Sequence, residues 1–186
     1  VDLSDPRAAE DFATEAGDLG VDILVNSAGI NAIAAFDRIE LADFDRIQRV
    51  NLRGPFLLCR AVVPGMRQRR WGRIVNIASI FSVVGKEQRG AYSASKFALD
   101  GMTASLAAEV AEDGILANCV SPGFVDTDLT RSILGERGMS ELTARIPMRR
   151  LGTPEEVAAF VAWLAGPENS YISGQNLVID GGFSRV

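Results

Sequence analysis

The chain has 186 residues, 47% of them hydrophobic, and a formal net charge of −5. Its length and apolar content suit one globular core, and the acidic balance argues against nucleic acid or an anionic membrane as a partner. Histidine is absent, which excludes His-dependent triads and His-containing zinc sites and leaves tyrosine, lysine and carboxylates to move protons. No apolar stretch is long enough to span a bilayer, and no secretory pattern is present. Cys59 and Cys119 lack ligand-like spacing. Reduced, buried thiols in a cytoplasmic protein that holds no metal are the expectation.

Val1-Asp2-Leu3 reads as the tail of a strand, and Ser4-Asp5-Pro6 opens a helix over residues 6–19. A strand over 21–26 runs into the small residues Asn26-Ser27-Ala28-Gly29. The next helix is expected over 41–70, with Phe44, Ile47 and Val50 on its apolar face and Arg67, Arg69 and Arg70 complementing its C-terminal dipole. Gly72 precedes a strand over 73–79, a helix follows over 87–112, and Gly114 precedes a strand over 116–121. Ser121-Pro122-Gly123 turns the chain into a charged, glycine-bearing segment over 128–151 that includes Arg131, Gly135, Glu136, Arg137, Arg145, Arg149 and Arg150. Thr153-Pro154-Glu155-Glu156 starts a helix over 154–165 as a capping box, and the last strand covers 176–180. Strand cores such as Ile23-Leu24-Val25 are continuous apolar runs, as in a parallel sheet buried on both faces. The helices have crossover lengths. The expected fold is therefore α/β, a doubly wound parallel sheet in one domain over residues 1–186.

Tyr92 and Lys96 lie four residues apart in a helical stretch, so they share a face. Ser79 lies thirteen residues before Tyr92 at a strand end. A hydroxyl, a phenol and an ammonium so placed suit carbonyl–alcohol chemistry, with the lysine charge expected to make Tyr92 more acidic. Taken singly, each has a plainer reading: a loop serine, a half-buried aromatic, a solvated lysine. Ser82 is a rival to Ser79, and spacing to Tyr92 selects Ser79. Pro55 has no N–H, so it cannot pair with the carbonyl of Asn51 four residues earlier. That carbonyl is expected to be open to water; the plainer reading is a proline kink with an incidental asparagine. Asp2 and the run from Asn26 to Gly29 sit at strand ends, where ligands bind in open α/β sheets, and each could equally serve a turn or a helix start.

In this order and spacing the motifs resemble the short-chain dehydrogenase/reductase family. Within it, the segment Ile146-Pro147-Met148-Arg149-Arg150-Leu151-Gly152 and the ending Asp180-Gly181-Gly182-Phe183 are most similar to 3-oxoacyl-acyl-carrier-protein reductases and to related sugar or polyol dehydrogenases. The resemblance implies a Rossmann-type sheet, NAD or NADP as cofactor, and a small carbonyl or alcohol substrate. It implies Ser79, Tyr92 and Lys96 as the catalytic set, with Asn51 anchoring a relay water. It places the side chain of Asp2 and the backbone of Leu3 at the adenine, and Asn26, Ala28 and Gly29 along the adenine-ribose side, where Ser27 replaces a usual asparagine. Tyr92 and Lys96 face the ribose hydroxyls. Pro122, Gly123, Val125 and Thr127 face the nicotinamide amide, and Thr127 can also cap a helix. Residues 128–151 become a mobile substrate lid. Homo-oligomers, tetramers or dimers, are usual, and Leu99, Met102, Leu106 and Val110 suit either a helix contact or the core. The family opens with a glycine-rich turn ahead of these motifs, and this sequence has none. The expectation is a fragment lacking its first β-α-β portion, with one flank of the strand over 21–26 exposed. The choice between NAD and NADP is normally written in that missing portion. A reading from another class follows from the same absence: an interaction protein that keeps the fold without the cofactor. The intact Ser79, Tyr92 and Lys96 argue against it.

Overall fold

The computed structural model describes residues 1–185, and all side chains among them except those of residues 128, 129, 132–134, 136 and 137. Four strands, β1 (Ile23–Asn26), β2 (Gly72–Ile77), β3 (Ile115–Pro122) and β4 (Asn176–Ile179), form one parallel sheet in the order β1-β2-β3-β4. The helices are α1 (Pro6–Asp18), α2 (Leu41–Gln48), α3 (Gly54–Arg69), α4 (Gly90–Val110), α5 (Asp128–Arg145) and α6 (Pro154–Ala165).

Alternation along the strands divides the core. Ile74, Ile115 and Ala117 face α1, α3 and α4, where Ala9, Ala13 and Ala16 meet Leu58, Val62 and Met66. Val75 and Val120 face the opposite side and pack under Leu164, Ala165 and Phe160 of α6. Helices therefore cover both faces of β2 and β3, as in a doubly wound sheet, but not both faces of β1, whose Ile23-Leu24-Val25 run was expected to be buried on both sides. On β1, Leu24 packs into the first cluster, while Ile23 and Val25 are 46% and 42% exposed. Cys59 and Cys119 are free and buried, and burial pushes their thiols up to about 12 and about 11.

Local sequence explains the element ends. Asp5 caps α1 by accepting from the Arg7 and Ala8 N–H groups, with Pro6 at the first position. Thr153 and Glu156 form the expected capping box of α6. Gly114 adopts φ +75° against the Arg70 carbonyl, a conformation and a closeness that exclude a side chain.

One expectation needs correction. The single helix over 41–70 is interrupted by a π turn at Arg49–Arg53, where the Gly54 N–H reaches back to Arg49 O. Pro55 at the start of α3 supplies no N–H for a regular ladder, and the wider turn absorbs the mismatch. The segment over 128–151, expected as a lid, carries α5 as far as Arg145, and the non-helical Gly135 (φ 61°, ψ −179°) divides it. Thr127 caps that helix through the Thr130 N–H. The side chains of Glu136 and Arg137 lie outside the described residues.

Candidate active site

Parallel pairing brings the C-terminal ends of all four strands to one edge of the sheet. Ser79 lies two residues beyond β2. Its Oγ accepts from the Phe81 N–H at 3.2 Å and so caps the short turn Ile80–Ser82. Ser82, the rival, is committed elsewhere. Its hydroxyl donates to Ser79 O at 2.7 Å, lies 2.9 Å from Ser121 Oγ, and accepts from Asn176 Nδ2 at 2.9 Å. This network ties the Ser79 backbone to the ends of β3 and β4. Nothing in local sequence signals it, because its partners are 39 and 94 residues away in the chain.

Tyr92 sits in the first turn of α4, and its phenol lies beside the Ser79 side chain. Its ring meets Phe81 edge-on at 6.4 Å between centroids. Burial holds the phenol above its ordinary range, while the Ser79 hydroxyl and the Arg89 charge pull the other way. Arg89, three residues upstream, is thus a cation at the phenol that the sequence reading did not single out, beside the expected Lys96. Lys96 is 3% exposed, donates from Nζ to Ile77 O at 2.7 Å, and lies 5.7 Å from the Tyr92 ring centroid. Burial brings its ammonium down to about 8.

Asn51 is fully buried within the π turn. Its Oδ1 accepts from Ile30 N at 2.8 Å, and its Nδ2 donates to Ile30 O at 2.9 Å and to Ser95 Oγ at 3.0 Å. The side chain thus latches the loop after β1 onto α4. Gly29 is the point of closest approach: a Cβ there would lie 3.5 Å from Lys96 Nζ and 3.7 Å from Asn51 Oδ1.

On the other side of this loop, a groove of ≈570 Å³ is lined by Asp2, Leu3, Asn26, Ser27, Ala28 and Gly29, among others. All five residues expected on the adenine side therefore share one cavity. Two carry commitments that sequence alone does not show. The Ser4 hydroxyl and then the Ser4 N–H, from which the carboxylate accepts at 2.8 Å, hold Asp2 below its usual range. The buried Asn26 side chain donates to Asn76 Oδ1 at 2.7 Å, and Asn76 donates to Thr103 Oγ1 at 2.8 Å. The Asn26 amide is thus taken up in joining β1 to β2 and, through Asn76, to α4.

At the far strand ends, Gly123 N donates to Ile179 O, and a Cβ at Gly123 would come within 2.7 Å of Asp180 Cβ. Glycine here is demanded by packing against β4. Val125 pairs in parallel fashion with Gly152, whose backbone bonds Phe124 O and Asp126 N. That pattern turns the Val125 N–H to the opposite side, where it can serve a bound amide. Thr127 is spent largely as the cap of α5. Pro122 ends β3 opposite Ile179. Of the proposed contact residues, Leu99 and Val110 belong to the core, while Met102 and Leu106 line a surface groove beside Phe56. Among the described residues no cluster fits a metal ion, and no helix is long and apolar enough to cross a membrane.

A strand-edge serine beside a helical tyrosine, with a buried lysine one turn on, is the arrangement by which the resemblance is recognised. The family model described as enoyl-(acyl carrier protein) reductase matches residues 1–184. The chain belongs to the short-chain dehydrogenase/reductase family. It is 42% identical over 167 residues to the 3-oxoacyl-(acyl-carrier-protein) reductase FabG of Vibrio cholerae, covering 90% of this chain and 68% of that protein. It is 38% identical over 179 residues to the acetoacetyl-CoA reductase of Cupriavidus necator, covering 96% of this chain and 72% of that one. A solved gluconate 5-dehydrogenase from Burkholderia cenocepacia, in complex with NADP and tartrate, superposes with a TM-score of 0.92 at 32% identity, covering all of this chain and 74% of that one.

Proposed function

We propose that the protein moves a hydride between a nicotinamide dinucleotide, NAD(H) or NADP(H), and a ketone or secondary alcohol. The observation that carries this reading is the convergence of Ser79 and Tyr92 beside the buried Lys96, under the Gly29 backbone. The residues present suit the dinucleotide. The groove at Asp2, Leu3, Asn26, Ala28 and Gly29 suits the adenosine end, and the Val125 N–H suits the amide. When bound, the dinucleotide supplies or takes up the hydride. In reduction, the substrate's carbonyl carbon gains that hydride and its oxygen gains the proton of Tyr92; oxidation reverses both. Ser79 orients the reacting oxygen by a hydrogen bond. Lys96, largely charged at neutral pH, addresses the ribose hydroxyls. Asn51 holds the loop that carries Gly29 over Lys96, and its backbone carbonyl is the proposed anchor of a relay water. The related 3-oxoacyl reductases and gluconate dehydrogenase favour two substrate classes, 3-oxoacyl thioesters and sugar or polyol acids. The same kinship favours a homo-oligomer, tetramer or dimer, with Met102 and Leu106 at a helix contact.

Fluorescence titration of NADPH and NADH against the purified chain tests the reading, followed by turnover with ketones of both classes. Saturable binding and substrate-dependent oxidation of the nicotinamide are expected. Absence of saturable binding to either would overturn the reading and favour an interaction protein that keeps only the fold.

A further inference from the structure

Arg89 brings a positive charge into the protein without a counterpart. Its Nε and Nη1 are buried and make no hydrogen bond. One turn along, the Ser93 hydroxyl is also buried and unbonded. The carboxylate that acts on Arg89 is Glu87, yet Glu87 is exposed and its Oε1 accepts from Lys86 Nζ at 3.0 Å. Buried donors without acceptors are costly, and native interiors rarely leave them so. An unpaired guanidinium beside a reacting phenol therefore points to a missing anion.

Its placement sharpens the point. Arg89 is the N-cap residue of α4, three before Tyr92. At 3.6 residues per turn, Tyr92, Lys96, Arg89 and Ser93 fall within an arc of about 100° on one helix face. Arg89 and the Tyr92 phenol act on each other electrostatically. The first turn of α4 has no side-chain cap and no acidic residue, so the positive end of a 21-residue helix adds to the same field. The residue as a whole is half-buried and Nη2 is not among its buried atoms, so an incoming carboxylate can approach from that nitrogen.

We propose that Arg89, assisted by Ser93, receives a carboxylate of the substrate, and that the protein acts on a hydroxy or oxo acid in preference to a neutral ketone or a thioester. This rests on the oxidoreductase reading above. A planar guanidinium matches a carboxylate with charge-assisted hydrogen bonds. An acid held there presents its reacting carbon to Ser79 and Tyr92 from the side where α4 begins.

The test compares acids with uncharged counterparts by calorimetric titration, with and without NADP. The pairs are L-tartrate and threitol, (R)-3-hydroxybutyrate and its methyl ester, and D-gluconate and D-glucitol. At least one acid is expected to bind the wild type about 10-fold or more tightly than its counterpart. Arg89→Gln should abolish that preference, a change of roughly 10- to 150-fold for a lost charge-assisted bond. Arg89→Lys should restore part of it, and Ser93→Ala should weaken it by less than about 10-fold. Circular dichroism confirms that each variant is folded. No preference for any acid, or a preference that survives Arg89→Gln, overturns the proposal even if nicotinamide turnover is intact. Arg89-dependent acid binding without turnover of any of the six compounds overturns the oxidoreductase reading and leaves the carboxylate site standing.

Discussion

Replacing Asn51 with alanine tests whether the loop over the site is held by one buried amide. The native side chain makes three hydrogen bonds, two to Ile30 and one to Ser95, from a position with no solvent exposure. At about 1 kcal/mol each, their loss costs about 3 kcal/mol. Solvent reaches the half-buried Ile30 in part, which limits any further penalty, and Ser95 keeps its own bond to Tyr92 O. For a chain of this size, a loss of about 3 kcal/mol lowers the melting temperature by roughly 6–12 °C. Urea denaturation followed by circular dichroism measures it: the midpoint should fall with the slope unchanged. The freed Gly29 loop should also raise the KM for the dinucleotide more than it lowers kcat. A loss below about 1 kcal/mol would refute the latch, because a buried amide with three real bonds cannot be removed so cheaply.

Lys96→Met should stabilise the fold at neutral pH while abolishing turnover. The drop of the ammonium from 10.5 to about 8 corresponds to about 3 kcal/mol of charge-burial cost, set against the lost bond to Ile77 O. The folded state releases this proton first. Wild-type stability relative to Lys96→Met should therefore climb as pH rises from about 8 towards 10.5, and a flat difference curve would contradict the burial argument. Arg89→Gln removes a cation that lowers the Tyr92 pKa, so the basic limb of the kcat/KM profile should move to higher pH; an unmoved limb would mean that the two groups do not communicate. Gly123→Ala forces a methyl within 2.7 Å of Asp180 Cβ and should cost about 1–3 kcal/mol in thermal unfolding. Gly101→Ala, with open space around it in α4, should instead gain up to about 1 kcal/mol.

Much of this architecture could be read from the chain because the signals are local. The strands announce themselves as short apolar runs, the capping box at Thr153 sits within four residues, and Ser79, Tyr92 and Lys96 stand at spacings that a strand end and a helix turn into neighbours. Pro55 marked the irregular backbone near Asn51 but not its form, since a π turn depends on what the next helix packs against. The side-chain role of Asn26 was hidden because its partner Asn76 arrives only through the β1–β2 register. Ser82 was readable as a loop serine, but not as the link from Ser79 to β3 and β4. Arg89 carried one available signal, its spacing of three from Tyr92. Its significance lies in bonds it does not make, which no sequence displays. Over residues 128–151, charge and glycine gave no sign of the helix that Thr127 starts, although Gly135 marks its break.

Steady-state and single-turnover kinetics of Tyr92→Phe test the central claim most directly, once a substrate is in hand. The phenylalanine ring keeps the edge-on packing against Phe81 and loses the hydroxyl beside Ser79, so stability should change by no more than about 1.5 kcal/mol and dinucleotide binding should persist. Turnover should fall by about 10²- to 10⁴-fold, the share that positioned proton transfer contributes. A folded, cofactor-binding Tyr92→Phe enzyme with near wild-type turnover would show that the proton passes elsewhere.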